Sequence, residues 1–187
     1  MFNIKYQKQH FSYFKMIRDY VKNTLSHYIV PSKHGYLSHN HDTILITGGS
    51  NGLGLEMVKL FLEKDFEVII IDIKKPPSNL YTISKKKLIF MKIDLSDVNS
   101  LSNNLKTAFA LHNIEENKIK VIINNAGITS GEAFEQINKK TIEKTILVNY
   151  ESTMILLLSL RKYMNKDPSS LMVTIASVLG LITPSNL

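Results

Sequence analysis

The sequence has 187 residues, 44% hydrophobic and 21% charged, which fits about one globular domain and excludes a disordered chain. It has no cysteine, so disulfide frameworks, thiolate zinc sites, iron–sulfur clusters and cysteine nucleophiles are excluded, and an intracellular setting fits. The formal net charge of +7 is uneven: residues 1–42 hold six basic side chains against two acidic ones, and the rest is close to ordinary. The main body therefore lacks the basic and aromatic stripe of a nucleic-acid binder, and no nucleic-acid partner is expected.

The chain divides into a basic leader with a linker, residues 1–42, and a main body, residues 43–187. In the leader, Phe11, Phe14, Ile17, Val21, Leu25 and Tyr28 recur at helical spacing, opposite Lys15, Arg18 and Lys22. Three readings stay open for residues 11–29: an amphipathic helix lying on a membrane surface, a mitochondrial transit peptide, or a helix packed on the protein's own body. The first places the chain at a peripheral membrane surface such as the endoplasmic reticulum or a lipid droplet; the last leaves it cytoplasmic. No run approaches the roughly eighteen apolar residues of a membrane-spanning helix. His39 and His41 lack nearby thiolate or carboxylate partners beyond Asp42, and no metal site is expected.

After Asp42 the period changes. Short Ile- and Val-rich runs at Thr43–Thr47, Glu67–Asp72, Leu88–Ile93, Lys120–Asn124 and Leu171–Ala176 predict buried parallel strands. Helical patterns fall between them at about 53–64, 97–112 and 139–165, and segment 74–87 reads as a solvated loop. This alternation predicts an α/β fold with a parallel sheet and right-handed crossovers.

The strongest local signal is Thr47-Gly48-Gly49-Ser50-Asn51-Gly52-Leu53-Gly54, between the first strand and the first helix. Glycines there let the backbone turn tightly and approach a pyrophosphate, and the amides at the helix start face the phosphates. Asp72 ends the next strand, where a carboxylate can accept both hydroxyls of an adenosine ribose and would repel a 2′-phosphate. NAD is therefore preferred over NADP, although Lys74 and Lys75 follow closely.

Together these residues resemble the short-chain dehydrogenase/reductase family. Gly48-x-x-x-Gly52-x-Gly54 is similar to its nucleotide loop, Asp94-Leu95 to its adenine-contacting pair, and Asn124-Asn125-Ala126-Gly127 to its N-N-A-G motif. Asn149, after Val148, is similar to its helix asparagine, and Ser177 stands where its catalytic serine does. The resemblance runs from Thr43 to Leu187 and implies a Rossmann-type doubly wound parallel sheet with strand order 3-2-1-4-5. It implies cofactor contacts from Gly48, Ser50, Asn51, Gly52, Leu53, Gly54, Asp72, Asp94, Leu95, Asn125, Ala126 and Gly127, and catalytic roles for Asn149 and Ser177. The implied activity is hydride transfer between NAD(H) and a small-molecule alcohol or its carbonyl. The run Val173–Leu181 is similar to the branch acting on retinol, hydroxysteroids and other lipid alcohols, whose members often carry an N-terminal membrane-associating segment. In intact relatives part of the long helix packs on a partner subunit, so a homo-oligomer through helix 139–165 is expected.

The family also uses Tyr-x-x-x-Lys, the tyrosine about thirteen residues after the serine, with the lysine lowering its pKa. That position falls just past Leu187, so the sheet is expected to be C-terminally incomplete and this chain, taken alone, inactive or nearly so. Tyr81-Thr82-Ile83-Ser84-Lys85 fits the pattern but lies between the second and third strands, on the adenine side, and is not expected to be catalytic. The alternative reading is a non-catalytic remnant that binds nucleotide or a partner chain.

Overall fold

A computed structural model describes residues 42–83, 88–130, 134–166 and 170–177, with Asp19 as an isolated helical position. The remaining leader, including the amphipathic pattern, His39 and His41, lies outside the described residues, as does Lys85. Five strands, β1 Thr43–Thr47, β2 Glu67–Asp72, β3 Leu88–Lys92, β4 Ile119–Asn124 and β5 Leu171–Thr174, form one parallel sheet. Its order is β3-β2-β1-β4-β5, the expected one.

Both faces of the central strands are covered, which explains their unbroken apolar runs. Successive residues point to opposite faces. Ile44, Ile46, Val68, Ile70 and Ile123 meet Met57, Val58, Phe61 and Leu62 of α1, Gly52–Glu63. Leu45, Ile69, Ile71 and Ile122 meet Leu101, Leu105 and Phe109 of α2, Val98–Leu111, on the other face. Each such large side chain, fully buried, contributes about 1.5–3 kcal/mol.

The third helical stretch differs from its expected form. It runs as α3 Lys139–Ile146, a π turn Leu147–Glu151 and α4 Ser152–Leu160, and so stops short of residue 165. The cause is tertiary. Tyr163 is buried with its ring 4.3 Å from that of Phe109. The chain there joins the sheet, Ile119 donating to the Tyr163 carbonyl at 2.8 Å and Asn165 to the Ile119 carbonyl at 2.7 Å. The solvated loop expected at 74–87 is also corrected. Ser78–Thr82 forms a 3₁₀ turn whose Leu80 is buried against the α1-side core.

Ile142, Ile146, Tyr150, Met154 and Leu158 form an exposed apolar ridge along α3, the π turn and α4, with Leu158 74% exposed. β5 is an edge strand with Leu171 and Met172 exposed. Among the described residues no helix is long and apolar enough to cross a membrane. The chain winds outward through β2 and β3, then returns to place β4 on the other side of β1. A cleft opens at that reversal, above the carboxyl ends of β1 and β4.

Candidate functional site

The glycine loop is built by backbone that only certain residues allow. Gly48 and Gly52 take φ of +67° and +55°, in the left-handed region. Gly54 lies against the Gly48 carbonyl oxygen, with the Asn125 amide nitrogen 2.6 Å from where a Cβ would stand. Asn51 caps α1 by accepting from the Gly52 amide at 2.8 Å.

Thr47 fastens this loop to the segment after β4. Its buried hydroxyl accepts from the Asn125 and Ala126 amides at 3.1 and 3.0 Å. Asn125 returns the contact, its side-chain amide donating to the Thr47 and Gly48 carbonyls at 3.0 and 3.3 Å. Asp72 is tied to the same loop: one carboxylate oxygen accepts from the Ser50 amide and the other from the Lys74 amide, both at 3.0 Å. Each oxygen keeps a lone pair for a further donor.

These groups surround a cavity of about 500 Å³. Its walls include Gly48, Asn51, Gly52, Leu53, Asp72, Asp94, Leu95, Asn125, Ala126 and Gly127 from the expected set. Ser50 and Gly54 are buried beneath the loop and are not among the lining residues. Lys74, Ser96, Lys144 and Val148 also line it and were not anticipated. Lys144 and Val148 could have been suspected from lying four residues apart, one helical turn, just ahead of Asn149.

The Asp94 carboxylate accepts from the Ser96 hydroxyl at 2.7 Å and the Ser96 amide at 2.8 Å. The hydroxyl bond most of all, then the amide and the Lys144 charge, hold its pKa below the usual carboxylate value against a small opposing effect of burial. A depressed carboxylate stabilises the fold above its unfolded pKa, and this contribution is lost as pH falls through the folded value. Ser96→Ala should raise the Asp94 pKa toward the ordinary value in a carboxyl-detected NMR titration; an unchanged pKa would refute the hydroxyl's role.

A second cavity, about 820 Å³, shares Asn125, Ala126, Gly127 and Ile128 with the first and is also lined by Asn149 and Ser177. Both polar atoms of the Asn149 side chain are held by Ile128: its Oδ1 accepts from the Ile128 amide and its Nδ2 donates to the Ile128 carbonyl, both at 2.8 Å. Ser177 follows β5 and is exposed on the cavity wall. Asn124 is buried at the end of β4 with neither side-chain polar atom hydrogen-bonded among the described residues. Tyr81 is exposed in the 3₁₀ turn and lines neither cavity.

A parallel sheet of order 3-2-1-4-5, with a glycine-loop cleft at its switch point, defines a Rossmann-type domain. The sequence profile described as short chain dehydrogenase matches residues 42–186, and the chain belongs to that family. An uncharacterized oxidoreductase of Saccharomyces cerevisiae is 29% identical over 173 residues, covering 92% of this chain and 54% of that protein. A 3-oxoacyl-[acyl-carrier-protein] reductase of Chlamydia pneumoniae is 28% identical over 143 residues, 74% of this chain and 56% of the relative. Among solved structures, 4-hydroxyisoleucine dehydrogenase complexed with NADH superposes with a TM-score of 0.66 at 29% identity, over 78% of this chain and 58% of that one. The chain thus spans about half the length of the curated relatives it matches.

Proposed function

We propose that the chain binds NAD(H) in the first cavity and an alcohol or carbonyl substrate in the second, as an oxidoreductase. The observation that carries this reading is Asp72, held on the cavity wall by the Ser50 and Lys74 amides with capacity for two ribose hydroxyls. The negative charge at that point disfavours the 2′-phosphate of NADP. Other features fit a dinucleotide. Among the described residues, no heavy atom apart from its chain neighbours and its own helix backbone lies within 4 Å of where a Gly52 Cβ would stand, so the loop surface is open. The Ser50 hydroxyl is buried without a hydrogen-bond partner among the described residues, and no acidic side chain in the first turn of α1 competes with a diphosphate. The relative complexed with NADH points the same way.

The nicotinamide, when bound, supplies the hydride acceptor or donor. On this reading Gly48, Asn51, Gly52 and Leu53 carry the diphosphate, and Asp94 and Leu95 the adenine. Asn125, Ala126 and Gly127 line the passage between the cavities. Ser177 hydrogen-bonds the substrate oxygen. Asn149, whose side chain is committed to Ile128, is a positioning residue that fixes the wall between the two sites. The substrate is lipid-like by resemblance of the Val173–Leu181 run. The exposed ridge supports self-association, readable by sedimentation as a dimer or larger species.

Stability in the presence of nucleotide tests the reading. NAD at a hundredfold excess over its Kd should stabilise the chain by about 2.7 kcal/mol. Asp72→Ala should weaken NAD roughly tenfold or more and narrow the preference over NADP, since it removes a charged hydrogen-bond acceptor. No stabilisation of the native chain by NAD would refute the assignment.

A further inference from the structure

We infer that the substrate is uncharged around its reacting carbon: a neutral alcohol, ketone or aldehyde with no carboxylate, phosphate or ammonium group against the cavity wall. This rests on the reading above, in which the second cavity is the substrate's. The observation is a partition of charge between two adjoining spaces. Asp72, Lys74, Asp94 and Lys144 all stand on the wall of the first cavity. The described wall of the second carries no Asp, Glu, Lys, Arg or His. Its apolar part is five isoleucines, Ile128, Ile137, Ile142, Ile146 and Ile175, with two alanines, and its polar part is hydroxyl, amide and backbone groups.

Helix α3 makes the partition. Thr141, Ile142, Thr145 and Ile146 turn toward the second cavity, while Lys144 turns toward the first. Lys139 is paired with Glu143 at 3.5 Å on an exposed part of the helix. The neighbouring sequence adds no cation. Residues 121–131 and 168–187 contain no charged side chain, and the first ionisable residue after the former stretch is an acid, Glu132. A carboxylate or phosphate entering this space would give up water without meeting a counter-charge, and an ammonium would find no carboxylate on the described wall. A neutral body loses little on the same transfer and gains contact with the isoleucines.

The test compares three probes of one shape, cyclohexanone, 4-oxocyclohexanecarboxylate and 4-aminocyclohexanone, titrated by ligand-observed NMR into the full 187-residue chain with NAD present. Cyclohexanone should bind roughly tenfold or more tightly than either charged analogue, reflecting their uncompensated desolvation. Thr145→Lys, which places an ammonium on the cavity wall, should shift the preference toward the carboxylate while leaving stabilisation by NAD intact. Equal or tighter binding of a charged probe to the native chain overturns the inference, as does an unchanged preference in a Thr145→Lys chain that NAD still stabilises. Loss of NAD stabilisation in the native chain overturns the nucleotide reading and this inference with it. Normal NAD stabilisation with a preferred charged probe overturns the inference alone.

Discussion

Gly54→Ala is expected to destabilise the domain by about 3 kcal/mol or more, because the added methyl group meets backbone that cannot move aside. Its Cβ would overlap the Gly48 carbonyl oxygen and crowd the Asn125 amide nitrogen at 2.6 Å. Relief requires shifting α1 away from β1, which opens the loop that faces the nucleotide cavity. Gly52→Ala is the comparison. That position has open space around it and only its φ of +55° to resist a side chain, a cost of about 1 kcal/mol. In thermal unfolding the first variant should lose roughly 6–12 °C and the second roughly 2–4 °C. Equal losses would show that close packing of helix on strand is not what Gly54 provides.

Thr47→Val should be of similar size for a different reason. The hydroxyl is the acceptor for two backbone amides, Asn125 and Ala126, and Thr47 itself is 1% exposed. Valine keeps the shape and removes the acceptor, leaving two donors unsatisfied at about 1–3 kcal/mol each. Thr47→Ser keeps the oxygen and should cost only about 1 kcal/mol for the lost methyl group. Urea unfolding of the two variants separates the hydrogen bonds from the packing. A valine variant no less stable than the serine one would contradict the role assigned to the hydroxyl. Because the same bonds join the glycine loop to the segment after β4, the valine variant should also respond less to NAD.

The strands were legible because they are buried on both faces, so that Leu45-Ile46, Val68–Ile71 and Ile122-Ile123 appear as apolar runs between turn residues. Alternation with helices and crossover handedness gave the parallel sheet, and the strand order came with the family resemblance. What stayed hidden depends on partners far along the chain. Thr47 carries no local sign that its hydroxyl will meet amides 78 and 79 residues away. Asn149 stands in an unbroken helical pattern, and its turn appears only with the pairing to Ile128, 21 residues earlier. Leu80 looked like one apolar residue in a proline- and lysine-rich loop, and its burial reflects a core already formed by β1, β2 and α1. Nothing local to Lys144 marks it as a wall residue, because its place depends on α3 standing between the two cavities.

The π turn also sets the angular phase of everything after it. In an uninterrupted α-helix, five residues spaced by four drift about 160° around the axis between the first and the last. One extra residue accommodated in a wider turn holds that drift to about 60°. Ile142, Ile146, Tyr150, Met154 and Leu158 can therefore share one side of the rod although the spacing alone would wind them around it. Removing a single residue from Leu147–Glu151 would restore regular winding with the same net drift of about 60°, so Met154 and Leu158 would stay in line with Ile142 while the wide turn that presents Asn149 to Ile128 is lost. The wide turn thus lets the chain take up one more residue, and present Asn149 to Ile128, without turning the two flanking helices out of phase.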